Sequence, residues 1–194
     1  MPNLTVRGVT REELPYVYRP RHSVYVEELG VPAKTACPVT KTLLDKLDDP
    51  AAIVIGAFRD DGLVATIRGN IADRSDAWSY FDLYGVTDDV RRQPSRHALV
   101  SAFFSDATAR GGLAAYRVLS LLADRLRMEG VSVVYFDCRP AVEDLYRRGG
   151  RTVIRSGLVH PTYGFPISVF RWDLRAEPLV ARRRQAPVEL PLAA

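Results

Sequence analysis

Lysine is nearly missing from this chain. Of 27 basic residues only Lys34, Lys41 and Lys46 are lysines, so arginine supplies almost all of the positive charge. Cysteine and histidine are scarce as well: Cys37 and Cys138, with His22, His97 and His160. They form no CxxC and no histidine pair at metal spacing, which excludes a zinc finger or ribbon and a disulfide scaffold. Cys138 ends an apolar stretch and reads as a small buried side chain. No apolar run approaches the roughly 20 residues of a membrane span. The opening residues, Met1 to Val6, lack the charged-then-apolar pattern of a secretory signal, so the expectation is a soluble, cytoplasmic protein with no metal and no membrane partner. Internal repeats and dividing linkers are absent too.

What is present suits one domain. The 194 residues are 47% hydrophobic, enough for a sizeable core. We expect a single domain over residues 1–174 and a proline- and arginine-containing tail over 175–194. The net charge of +4 favours an acidic partner: a phosphate-bearing cofactor, an acidic carrier protein or RNA.

Element by element, Leu4–Val9 alternates as a strand. Thr10 followed by Glu13 is a capping box, opening a helix that passes Pro15, kinks at Pro20 and stops at Gly30. Val39–Asp49, "VTKTLLDKLDD", reads as a second short helix. Two apolar strands follow, "AAIVIGAFRD" and "LVATIRGN", joined by a hairpin at Asp60-Asp61-Gly62. Residues 72–95 read as a loop with short helical pieces; its aromatics, Trp78, Tyr80, Phe81 and Tyr84, either wall a pocket or pack over a sheet. "HALVSAFFSD" is a fourth strand. A helix over residues 113–129 comes next, with Leu113, Tyr116, Leu119, Leu122, Ala123 and Leu126 on one face. "VSVVYFDC" is a fifth strand, Pro140 starts a short helix, and "RTVIRSGLV" and "ISVFRWDL" complete a mixed α/β sheet of seven strands.

Between the fourth strand and its helix stand Gly111 and Gly112. The first amides of a helix lack internal partners, and the helix dipole favours an anion there. Glycine lets the backbone approach a phosphate closely. The turn alone is equally a tight connection with no ligand.

This order of elements, with Gly112-Leu113-Ala114 and the "LYRRGG" helix, resembles the GNAT acyltransferase superfamily over roughly residues 6–174. Ala109 stands where the superfamily has Gln or Arg, and Arg110 lies beside it. The N-terminal half is similar to the autoinducer synthases and the long-chain N-acyl amino acid synthases. Arg21-His22-Ser23-Val24-Tyr25 matches their first helix, Asp45 and Asp48 their acidic cluster, and Ala65-Thr66-Ile67-Arg68 their strand ending Gly-Thr-Ile-Arg. Where that group often has Ser-Arg-Phe, this chain has Ser101-Ala102-Phe103.

The resemblance implies a GNAT fold: a mixed seven-stranded sheet with a splayed central strand pair and flanking helices. It implies an N-acyltransferase with no permanently bound cofactor. The donor would be an acyl-phosphopantetheine thioester, on an acyl-carrier protein or coenzyme A. The basic balance and the residue at Ala109 favour the carrier protein. Amides of Phe103 and Phe104 would hold the arm, and those of Arg110, Gly111, Gly112, Leu113 and Ala114 its phosphate. Tyr146 would protonate the departing thiolate, His160 would act as a base, and Asp48 would orient the acceptor amine. Arg21, Tyr25 and Arg68 would line the acceptor site, although Arg21 and Arg68 could equally be ion pairs to Asp48. The other readings are a non-catalytic module binding acyl-CoA or RNA, and an autoinducer synthase using S-adenosylmethionine. An aminoacyl-tRNA donor is a more distant alternative, and neither cysteine is expected to be a nucleophile.

Overall fold

Alternating and apolar runs become the strands of one sheet in the computed structural model, which describes residues 3–60, 62–107, 109 and 112–175. In chain order the main elements are β1 (Leu4–Gly8), α1 (Leu14–His22), β2 (Ile53–Arg59), β3 (Gly62–Ile71), α2 (Trp78–Tyr84), α3 (Thr87–Arg92), β4 (His97–Ser105), α4 (Leu113–Met128), β5 (Val133–Cys138), α5 (Glu143–Arg148), β6 (Thr152–Val159) and β7 (Pro166–Asp173). The sheet order is β1-β2-β3-β4-β5-β7-β6. Only β4 and β5 pair in parallel, because α4 carries the chain back across the sheet between them. Residues 176–194, expected as a tail, lie outside the described residues, as do Arg110 and Gly111.

The face under α4 and α5 holds the larger core, built on Ile67, Val118, Leu122, Leu126, Val134, Phe136 and Phe170. The opposite face packs α2 and α3 over Leu99, Tyr135, Ile167 and Val169. The buried stripe of α4 is Ala114, Ala115, Val118, Leu122, Ala123 and Leu126. This corrects the expected face in its first turn: Leu113 is 56% and Tyr116 49% exposed. The small alanines bring the helix close to the sheet, where a Cβ on Gly69 would stand 3.0 Å from a methyl of Leu122.

The N-terminal region departs further. α1 does contain Pro20, and π-helical turns continue it from Ser23 to Glu28. Val39–Asp49, however, is not a helix. Thr42–Leu43 pairs with Ala36–Cys37, and turns follow. The aspartates explain the difference. Asp48 accepts from the amide of Asp45 at 2.9 Å, and Asp45 from that of Leu47 at 2.9 Å. Such local bonds compete with helical ones. Buried Asn70 then clamps the loop by donating to the Leu47 carbonyl at 2.9 Å.

Two irregularities shape the middle of the sheet. Partners of β3 and β4 step from Arg68–Ser101 to Thr66–Phe104, so Ala102 and Phe103 bulge opposite Ile67. Ala102 sits at φ +50°, left-handed backbone that strains an L side chain. Ala102→Gly is therefore expected to raise stability by about 1 kcal/mol, read as a higher urea midpoint at unchanged m-value. The second irregularity is a split. β4 and β5 pair only at His97–Val133, Ala98–Val134 and Leu99–Tyr135. Beyond these, β5 stays with β7 to Cys138 while β4 runs on to Ser105 beside β3 alone.

Candidate active site

At the base of the site lies a buried ionic group. Arg21 and Arg68 are 0% and 1% exposed. Asp48 accepts from Arg21 Nη1 at 2.7 and 3.0 Å and from Arg68 Nη1 at 2.5 Å. Arg68 also donates to Asp45 at 2.8 Å and, through Nε, to the Ser101 hydroxyl at 3.2 Å. Burial alone would raise the Asp48 carboxyl, but the two guanidinium groups overcome it and hold its pKa below the usual range. Asp48 is thus an anchor that is ionised at neutral pH, with both oxygens engaged. Arg68 spends its donors on holding this loop against β3 and β4. Arg21 Nε and Nη2 have no hydrogen-bond partner among the described residues.

Toward the split, Tyr25 crosses from the first helical segment to donate to the Phe103 carbonyl, in the bulge, at 3.2 Å. Its ring stacks on Tyr163 with centroids 5.1 Å apart. Phe103 and Phe104 belong to the length of β4 that has no β5 partner, so one side of the strand is open there. At the end of β4, Asp106 caps the Ala109 amide at 2.9 Å, and Gly112 N–H donates to the Ala109 carbonyl at 3.1 Å. The Gly112 amide is therefore committed. Among the described residues, nothing accepts a hydrogen bond from the first-turn amides of Leu113 and Ala114.

Tyr146, on α5, packs its ring on Phe136 and Phe170 at 4.9 and 5.6 Å. Its hydroxyl makes no hydrogen bond among the described residues. Burial first, then the nearby Cys138 and Tyr25, push its pKa above the ordinary phenol value, so it stays protonated at physiological pH. Cys138 is itself buried, and its thiol is pushed up to about 12 by burial and by Asp137 and Glu143, which leaves an inert thiol.

His160 stands on the turn between β6 and β7, stacked on Tyr163 with centroids 4.4 Å apart. Its Nδ1 accepts from the amides of Thr162 and Tyr163 at 3.1 and 3.2 Å. The ring proton of the neutral imidazole therefore sits on Nε2, which faces Asp137 at 3.9 Å. Burial lowers the pKa of His160, with Asp137 and Asp45 opposing. The Tyr84 hydroxyl donates to the same carboxylate. The sequence suggests no role for Asp137, and for Tyr84 only that of walling a pocket or packing over a sheet. The available signal was a carboxylate inside the otherwise apolar "VSVVYFDC".

A split sheet, the start of α4 beyond it and the buried titratable side chains of Tyr146, His160 and Asp137 are thus brought together. The model of the N-acyl amino acid synthase FeeM family matches residues 16–173. The chain belongs to this family. FeeM itself, from uncultured soil microbes, superposes with a TM-score of 0.71 at 17% identity, covering 90% of this chain and 93% of that one. The acyl-homoserine lactone synthase LasI gives 0.67 at 15%, covering 90% and 91%. An acyl-CoA N-acyltransferase from Pseudomonas aeruginosa gives 0.59 at 19%, covering 88% and 99%. No curated protein is a significant match. This FeeM-family chain has the GNAT fold and is an N-acyltransferase. Among the described residues no helix is long and apolar enough to cross a membrane.

Proposed function

We propose that the chain moves an acyl group from a phosphopantetheine thioester, preferably on a carrier protein, to the amine of a small amino acid-like acceptor. The observation that carries this reading is the β4–β5 split with the uncapped start of α4 at its mouth. An extended arm entering the split meets unpaired β4 backbone. Its phosphate meets the amides of Leu113 and Ala114, where orphan donors and the helix dipole favour an anion. The arm's thioester end then reaches Tyr146, whose protonated hydroxyl is suited to give its proton to the departing sulfur.

Carrier protein is favoured over free coenzyme A by the surface around that helix start. Leu113 and Tyr116 are exposed there, Ala109 offers no side chain for a diphosphate, and the chain as a whole carries a net charge of +4. A carboxylate on the acceptor is favoured by Arg21. Its Nε–Nη2 edge has no hydrogen-bond partner among the described residues but is closed to solvent, so a carboxylate would pair with it only when this corner of the site opens. The family description, N-acyl amino acid synthase, agrees with such an acceptor.

The test is thiol release from acyl-carrier protein and from acyl-CoA across a panel of α-amino acids and simple amines, with mass spectrometry of the product. We expect an N-acyl amino acid and a higher kcat/KM with the carrier protein. Binding of thioester without thiol release would support the non-catalytic reading. Turnover only with S-adenosylmethionine would make the chain an autoinducer synthase.

A further inference from the structure

Resting on the acyl-transfer reading above, we infer that Asp137, rather than His160, receives the proton of the attacking amine, and that His160 and Tyr84 are positioning residues that hold its carboxylate.

His160 has no lone pair to offer. Its Nδ1 is the shared acceptor of two backbone amides, and its Nε2 carries the proton and faces Asp137. Asp137 is differently placed. Tyr84 and the closest approach of His160 are both at Oδ2. Oδ1 has no partner among the described residues, and it is not among the buried unsatisfied atoms. One carboxylate oxygen is thus fixed while the other is open.

Position along the strand supports the same assignment. The last β4–β5 pair is Leu99–Tyr135, so Asp137 is the next residue of β5 on that face, just inside the split. Side chains alternate along a strand. Tyr135 and Asp137 face α2, whereas Phe136 and Cys138 face the side of Tyr146. The proton acceptor and the proton donor therefore stand on opposite faces of the sheet, with the split between them. Asp137 also acts electrostatically on Tyr25 and Tyr146, the residues that border the split from α1's continuation and from α5. The groups around it are Tyr80 and Tyr84 of α2, His160 of the turn, Cys138 of its own strand, and Tyr25 and Tyr146. Among the described residues, His160, when protonated, is the one positive group that acts on the Asp137 carboxyl. Burial raises the Asp137 carboxyl, while His160 and the Tyr84 hydrogen bond restrain that rise. A buried carboxylate of this kind is a better proton acceptor than a solvated one.

The step balances as follows. The free-base amine forms its N–C bond to the thioester carbonyl, and the nitrogen's extra proton passes to Asp137 Oδ1. Collapse of the tetrahedral intermediate breaks the C–S bond, and the sulfur takes the Tyr146 hydroxyl proton. Exchange with solvent restores both residues, leaving amide and free thiol.

The test compares wild type with Asp137→Asn, His160→Gln and Tyr84→Phe. The assay is thiol release from long-chain acyl-CoA and acyl-carrier protein, with pH profiles of kcat and binding of a non-cleavable acyl-CoA thioether. Asp137→Asn is expected to lose about 10²–10³-fold in kcat, to bind the thioether as wild type does, and to lose the acid limb of the profile. Tyr84→Phe and His160→Gln are expected to keep most of the rate but to move the acid limb to higher pH, since each removes a restraint on the carboxyl. A role in packing alone would leave that limb in place. A wild-type rate in Asp137→Asn, or loss of the acid limb in His160→Gln with its retention in Asp137→Asn, overturns the assignment alone. Thioether binding without any wild-type thiol release overturns the acyl-transfer reading and the assignment together.

Discussion

Replacing Asp48 by alanine is expected to destabilise the protein by about 3–5 kcal/mol, the usual cost of removing one partner from a buried ion pair. Two guanidinium groups, Arg21 and Arg68, would lose their shared counter-charge while 0% and 1% exposed. Asp45 remains to Arg68, but among the described residues Arg21 would keep a 3.4 Å contact to the Leu43 carbonyl and its place over the Tyr18 ring, neither of them a counter-charge. The amide of Asp45 would also lose its acceptor. The pH dependence has a definite sign. The folded-state pKa of Asp48 is depressed, so its contribution is present above the ordinary aspartate value and is lost as pH falls through the folded value. Wild type should therefore lose stability on acidification through that range, and Asp48→Ala should show less of this acid dependence. Urea unfolding at neutral pH and at several acid pH values checks both parts.

The second large effect is expected at Tyr146. Tyr146→Phe keeps the ring between Phe136 and Phe170 and removes only a hydroxyl that has no hydrogen-bond partner among the described residues. Stability should change by no more than about 0.5 kcal/mol. If the hydroxyl protonates the leaving sulfur, kcat should fall by about 10²-fold or more, with donor KM nearly unchanged. Donors with better thiol leaving groups should narrow the gap, since they need the proton less. Equal kcat values for Tyr146→Phe and wild type, measured by thiol release, would remove this residue from the chemistry.

How far the sequence led depends on whether the deciding interactions were local. The seven strands and α4 were legible because alternation, apolar runs and bounding glycines are local signals. The stretch from Val39 to Asp49 misled because its leucine and aspartate spacing suits a helix. What decides its shape is distant: Arg21, Arg68 and Asn70 capture its aspartates and carbonyls from other elements. The exposed first turn of α4 was misjudged for a related reason. Ala114 and Ala115 win the buried face because the helix lies close to the sheet, a closeness that residue size in a single helix does not reveal. Within the site, the glycine turn, Tyr25, Arg21, Arg68 and the acidic pair could be named as candidates from pattern, but not the contacts each of them makes. Asp137 was visible as a charge in an apolar strand, but its meaning rests on the end of β4–β5 pairing two residues earlier, and Tyr84 joins it only through the packing of α2. His160 was noticed as a residue type, yet its role turns on which ring nitrogen is occupied, a property of the turn that holds it.

The central claim is that the open side of β4 and the first amides of α4 hold a pantetheine-type donor. A crystal structure with a non-cleavable acyl-phosphopantetheine thioether tests it most directly. The account predicts the arm between β4 and β5, its phosphate on the Leu113 and Ala114 amides, and its sulfur in contact with the Tyr146 hydroxyl. An arm bound elsewhere, or a split that closes between β4 and β5, would contradict it.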